Sequence, residues 1–254
     1  MSPRAADFPA DSPIGEPLSL CSRGEDCAIL FAKNPVPGQV KTRLSPHLTP
    51  EQACRLHCAS TSDVAELLSH ALPQARKWIF WSERPPVEKD KGGEVRVPAE
   101  FRCGVQEGGN LGERMGAAFA RAFASGARGV VLFGSDSPTL PAATVQRAFA
   151  ALSDCDLVLG PTEDGGYYLI GCRRFDEQLF RKVEWSTRRT YEQTVANAQR
   201  LDYRVQALES WFDLDQWGDV ERLIADARRG HSLPAHVAAF LKQLETEGAP
   251  ARPC

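Results

Sequence analysis

The residues of this chain best suited to chemistry fall into three sets. The first is Asp136, set in Gly134-Ser135-Asp136-Ser137-Pro138 directly after the apolar run Val130–Phe133. A carboxylate at the carboxyl end of a buried strand stands where open α/β sheets bind ligands, although an acid there also serves as a turn or helix cap. The second set follows another apolar run, Cys27–Ala32: Lys33, Lys41 and Arg43, in a loop stiffened by Pro35 and Pro37. Three cations just past a buried strand suit a multiply charged anion such as a triphosphate, whereas any one of them alone reads as a solubilising surface charge. The third set is two short turns rich in glycine. Glu107-Gly108-Gly109-Asn110-Leu111-Gly112 lets backbone approach a ligand closely. Glu163-Asp164-Gly165-Gly166-Tyr167 reads either as a ligand-facing turn at the same sheet edge or simply as a hairpin turn. Neither a dinucleotide-binding glycine fingerprint nor a Walker A loop follows the first strand.

The elements that must carry these residues alternate. Strands are expected at 27–32, 77–82, 130–133, 156–160, 167–171 and 203–208, with a weaker one at 101–106. Between them lie helices at 50–70, 111–125, 141–152 and 187–201, followed by helices at 219–229 and 234–247. The first helix is marked by Thr49 as N-cap, Pro50 at the first turn and Gln52 completing a capping box. Such alternation implies a mostly parallel sheet covered by helices on both faces, in one domain spanning 26–247. Residues 1–25, with four prolines, read as a mobile tail, residues 83–98 as a surface loop, and 248–254 as a frayed end.

Bulk properties narrow the function. The chain has 254 residues, 43% of them hydrophobic and 25% charged, with a net charge of −3. No global basic field argues for nucleic acid, and no membrane span or secretory signal is expected. Eight cysteines without a CxxC pair fit reduced thiols and a cytoplasmic location. Cys54, His57 and Cys58 share one helix face, read either as a soft-metal site lacking a fourth ligand or as small residues on a half-buried face.

Four motifs, taken in order, carry a resemblance. They are Phe31-Ala32-Lys33-Asn34-Pro35-Val36-Pro37-Gly38 with Lys41-Thr42-Arg43-Leu44; Leu111-Gly112-Glu113-Arg114-Met115; Gly134-Ser135-Asp136-Ser137-Pro138; and Gly160-Pro161-Thr162-Glu163-Asp164-Gly165-Gly166-Tyr167-Tyr168-Leu169. Over about residues 27–222 the chain resembles a bacterial glycosyltransferase-like family of the nucleotide-diphospho-sugar transferase superfamily, similar to phospholactate guanylyltransferase. The resemblance implies a three-layer α/β/α fold of the GT-A type and a bound magnesium or manganese ion. It assigns the metal to Asp136 with Asp213 or Asp215, in a segment where relatives carry Asp-x-Asp-Thr-Pro-x-Asp and this chain has Gln216-Trp217 in place of Thr-Pro. Which of Asp213 and Asp215 would share an ion with Asp136 is left open by that departure. The expected catalytic groups are Lys41, Arg43 and Asp136. A nucleotide would lie along Ala32, Lys33, Lys41, Arg43, Gly109, Asn110, Leu111 and Gly112, and a small-molecule acceptor against Asp164, Gly165, Gly166 and Tyr167. Trp185, Ser186 and Thr187 either line the acceptor pocket or merely cap a helix. The donor is expected to be a nucleoside triphosphate or a nucleotide-sugar, with the acceptor, the base and a homodimer left open.

Overall fold

The computed structural model describes residues 19–45, 47–83 and 94–247. The expectations for residues 1–18, for 84–93 of the surface loop and for 248–254 lie outside the described residues. Seven strands form one sheet: β1 (Asp26–Ala32), β2 (Arg76–Trp81), β3 (Arg102–Val105), β4 (Gly129–Gly134), β5 (Leu157–Pro161), β6 (Tyr167–Cys172) and β7 (Val205–Ala207). Six helices accompany them: α1 (Pro50–Ala71), α2 (Leu111–Ala124), α3 (Ala142–Ala151), α4 (Thr190–Arg200), α5 (Trp217–Arg228) and α6 (Ala235–Glu247).

The strand order is β3-β2-β1-β4-β6-β5-β7, parallel except for β6, which runs antiparallel between β4 and β5. Strand parity divides the core. Ala28, Leu30 and Ala32 of β1 pack with Val64 and Leu68 of α1 and Val145 and Ala148 of α3. Their neighbours Cys27, Ile29 and Phe31 pack with Met115, Phe119 and Ala122 of α2 and Ala198 of α4. Period-two side chains buried on both sides make a three-layer α/β/α structure. A third cluster joins Ala53 and Leu56 of α1 to Val220 and Leu223 of α5 and Val237 and Leu241 of α6. This leaves α1 buried on two sides, and its capping box forms as the sequence implies: Thr49 Oγ1 accepts from Gln52 N, and Gln52 Oε1 from Thr49 N.

One element differs from the sequence expectation. Residues 19–25 are docked, because Leu20 and Cys21 are buried and the Trp78 indole donates to the Leu20 carbonyl at 2.6 Å. The Asp164-Gly165-Gly166 turn does close the antiparallel β5–β6 hairpin. Because Phe133 pairs with Leu169, that turn also comes to the end of β4 from which Asp136 emerges.

Candidate active site

β1 and β4 are adjacent and parallel, so the loops leaving their carboxyl ends emerge side by side. The β4 loop presents Asp136, and the β1 loop presents Lys41. The segment before α5 closes over both, with Leu214 N donating to the Asp136 carbonyl at 2.7 Å. The Lys41 ammonium then reaches three oxygens: Asp136 Oδ1 at 2.5 Å, the Leu214 carbonyl at 2.6 Å and Asp215 Oδ1 at 3.0 Å. Its side chain is 3% exposed, whereas the Asp136 and Asp215 side chains are 41% and 37% exposed to the cleft. Lys41 also sits in the left-handed backbone region, at φ 50°, which for a residue with a Cβ costs about 1–2 kcal/mol. Arg43 lies at the rim, 4.0 Å from Asp215 Oδ2.

Asp213 turns the other way. Its Oδ1 accepts from Ser137 Oγ at 2.5 Å. Burial, then the charge of Asp136, push its carboxyl up to about 7. Burial also raises Asp136, but Lys41, His57 and Lys33 outweigh it and hold that carboxyl below its ordinary value. Burial would discharge Lys41, yet Asp136 and Asp215 more than offset this and hold its pKa above the ordinary lysine value. The site thus gathers three acids near one buried ammonium, of which Asp136 and Asp215 contact it and Asp213 does not.

Supporting bonds fix these groups. Asp219 Oδ2 accepts from Asp215 N at 3.0 Å and Gln216 N at 2.7 Å, forming the reverse half of the α5 cap. Ser60 Oγ donates to the Ser135 carbonyl at 2.6 Å. His57, buried beneath the β1 loop, has Nε2 2.9 Å from the Lys33 carbonyl, and burial lowers its pKa. Cys54 and Cys58 belong instead to the apolar core.

A cleft of about 550 Å³ gathers most of the residues singled out in the sequence. Lys33, Lys41 and Arg43 line it, with Leu111, Asp164, Gly166, Tyr167, Asp213 and Asp215. Other expected site residues have structural work. Ala32 is buried, and its carbonyl accepts from Ser82 N and Gln106 Nε2. Asn110 caps α2 by accepting from Glu113 N at 3.0 Å, and Gly109 N donates to the Glu113 carboxylate at 2.8 Å. A Cβ on Gly112 would come within 2.4 Å of the Trp185 ring, so this glycine is the socket for that indole. Gly165 sits at φ 90° with the Arg188 carbonyl 2.3 Å from where a Cβ would be. Trp185, Ser186 and Thr187 do line the cleft, and the sequence reading missed Thr42, Thr162, Arg188 and Gln216, none of which carries a chemical signature of its own.

A metal ion placed by resemblance must fit these residues. The donors are hard carboxylate oxygens, and a divalent cation would offset both the burial and the neighbouring Asp136 charge that raise Asp213. The three acids do not converge as tightly as a finished metal cage. Among the described residues, the three-residue group whose ligand atoms all lie within 4.8 Å of one another is Asp63, Glu66 and His236. That group joins α1 to α6, with Asp63 accepting from His236 N and Val237 N as a helix cap. Asp136 and Asp215 do touch one common cation, the Lys41 ammonium. No helix among the described residues is long and apolar enough to cross a membrane.

Fold and site together define a transferase-type enzyme built on a mostly parallel α/β/α sheet. The family model described as "Uncharacterized protein conserved in bacteria (DUF2064)" matches residues 62–187. A protein of Desulfovibrio desulfuricans G20, provisionally described as a nucleotide-diphospho-sugar transferase, is 31% identical over 88% of this chain and 96% of its own, with a TM-score of 0.78. The chain belongs to this DUF2064 family of the nucleotide-diphospho-sugar transferase fold. The fold extends to a CMP:2-keto-3-deoxy-manno-octonic acid synthetase complexed with CTP, at 9% identity over 82% of this chain and 100% of that one, TM-score 0.50. It extends likewise to the bifunctional IspDF of Campylobacter jejuni, at 12% identity over 83% of this chain and 55% of that one, TM-score 0.50. No curated protein matches the chain.

Proposed function

We propose that this chain is a divalent-cation-dependent nucleotidyltransferase acting on a nucleoside triphosphate and an anionic small-molecule acceptor. The observation that carries this reading is one cleft lined by both Lys33, Lys41 and Arg43 and Asp213 and Asp215, with Asp136 paired to Lys41 beside it. Carboxylates alone repel a polyphosphate, and cations alone do not need three acids. The two sets together suit a triphosphate carried with a hard metal ion. Asp136 with Asp213 or Asp215 would hold magnesium or manganese, which when bound offsets phosphate charge and makes phosphorus more electrophilic.

Lys33 and Arg43 reach the same cleft from the β1 loop and its continuation, placed to neutralise the outer phosphates. An acceptor oxygen attacks the α-phosphorus, the bond to the bridging oxygen breaks, and its electrons leave with pyrophosphate. Asp164, Gly166 and Tyr167, on the hairpin side, face the acceptor. Burial raises the pKa of the Tyr167 phenol, whose hydroxyl donates to Met115 Sδ at 3.9 Å. Positioning and charge suffice for this chemistry, with no covalent enzyme intermediate.

The second reading is transfer of a sugar from a nucleotide-sugar, favoured by the description of the Desulfovibrio desulfuricans relative. Incubation of the protein and Mg²⁺ with each triphosphate and a panel of phosphorylated acids separates the two. Acceptor-dependent pyrophosphate release supports nucleotidyl transfer. Sugar transfer from a nucleotide-sugar, without pyrophosphate release from any triphosphate, rejects it.

A further inference from the structure

The Lys41 ammonium has the surroundings of a bound cation. Three oxygens from two segments converge on Nζ within 3.0 Å, and the side chain is shut off from water. Two of those oxygens belong to Asp136 and Asp215, the acids that the proposed function gives to the metal. An ion held by both would share those carboxylates with the ammonium and repel it. Lys33, by contrast, is exposed at the cleft and has no ion pair among the described residues. The lysines of one loop thus differ sharply: one open to an incoming anion, one spent on internal carboxylates.

The backbone of Lys41 adds a second, independent observation. It holds a left-handed conformation, and the stretch before it contains Gly38 at φ 79°. In this conformation the side chain runs inward and its ammonium reaches Asp136, Leu214 and Asp215.

Resting on the metal-dependent reading above, we infer that Lys41 is a built-in counter-ion that occupies the metal's place between Asp136 and Asp215 until a polyphosphate draws it out. The metal-free site is thereby kept from collapsing under its own charge. A divalent cation alone binds weakly, because it must displace the ammonium into water. A polyphosphate gives the ammonium a new partner, so cation and polyphosphate bind cooperatively, each strengthening the other by the same factor.

The test compares Mn²⁺ binding, by electron paramagnetic resonance, with and without inorganic tripolyphosphate. In the wild-type protein tripolyphosphate should raise Mn²⁺ affinity at least tenfold beyond free complexation. Lys41→Met should bind Mn²⁺ alone at least tenfold more tightly than wild type and lose most of that enhancement. Asp136→Asn is the control, since Mn²⁺ that it still binds lies elsewhere. Equal Mn²⁺ affinity in wild type and Lys41→Met overturns the counter-ion role while leaving the metal site intact. No Asp136-dependent Mn²⁺ in either protein overturns the metal-dependent reading and this inference with it. Should Lys41→Met not fold, the ¹⁵N ammonium resonance of wild-type Lys41 decides. A shift when Mg²⁺ and tripolyphosphate are added supports displacement, and an unchanged resonance refutes it.

Discussion

Replacing Asp213 by asparagine isolates the charge that the site cannot accommodate unaided. Asparagine keeps the shape and an oxygen for the Ser137 hydroxyl, which donates to Asp213 Oδ1 at 2.5 Å, and removes only the charge. The Asp213 carboxyl is raised to about 7 from 3.8, first by burial and then by Asp136. A group whose folded pKa is raised binds its proton more tightly in the folded state than in the unfolded one. The metal-free protein is therefore most stable, as far as Asp213 is concerned, below about pH 4. That contribution is lost as pH rises to about 7 and is flat above. The full interval corresponds to ~4 kcal/mol, and the open side of the cleft screens this to about 2 kcal/mol. Urea unfolding in EDTA at pH 5 and pH 8 measures it. Only the part of that interval above pH 5 is sampled, so between those values wild type should lose about 1 kcal/mol more than Asp213→Asn, and saturating Mg²⁺ at pH 8 should restore much of the difference. Parallel pH dependence in the two proteins would refute the claim that Asp213 is buried against surplus charge.

Three further substitutions probe the frame. Asp136→Ala should abolish metal-dependent binding of nucleoside triphosphates in calorimetry while the circular dichroism spectrum stays unchanged, since Lys41 keeps its bonds to the Leu214 carbonyl and Asp215. Asp219→Ala removes the acceptor for Asp215 N and Gln216 N, and thermal melting should report a loss of about 1 kcal/mol. Its Mn²⁺ affinity should fall as well, because Asp215 loses its anchor. Gly112→Ala drives a methyl into the Trp185 ring; a loss of about 1–3 kcal/mol is expected, with a change in tryptophan fluorescence. An unaltered melting temperature would show that Trp185 yields freely.

Much of the frame could be read from the chain because it rests on local rules. Thr49-Pro50-Gln52 announced the start of α1, and the apolar runs of β1, β4 and β5 announced strands buried on both faces. Asp136 stood out because a carboxylate directly after such a run has few places to go. The antiparallel setting of β6 was less visible, since an apolar strand carries no mark of its direction. Proximity in space was less visible still. Lys33 and Lys41 are the same residue type in one loop, and nothing local distinguishes the exposed one from the one bonded to Asp136, Leu214 and Asp215. The fit of Trp185 against Gly112, 73 positions apart, likewise carries no local mark. Leu20 and Cys21 were assigned to a mobile tail on the strength of nearby prolines, yet their partners Trp78 and Ala122 lie on β2 and α2.

Anomalous diffraction from crystals grown with Mn²⁺ and a nucleoside triphosphate tests the account most directly. The expected map has a manganese peak bounded by the carboxylate of Asp136 and that of Asp213 or Asp215, with phosphate oxygens on its open side. A peak at Asp63, Glu66 and His236, with triphosphate bound in the cleft and no ion beside Asp136, would contradict it.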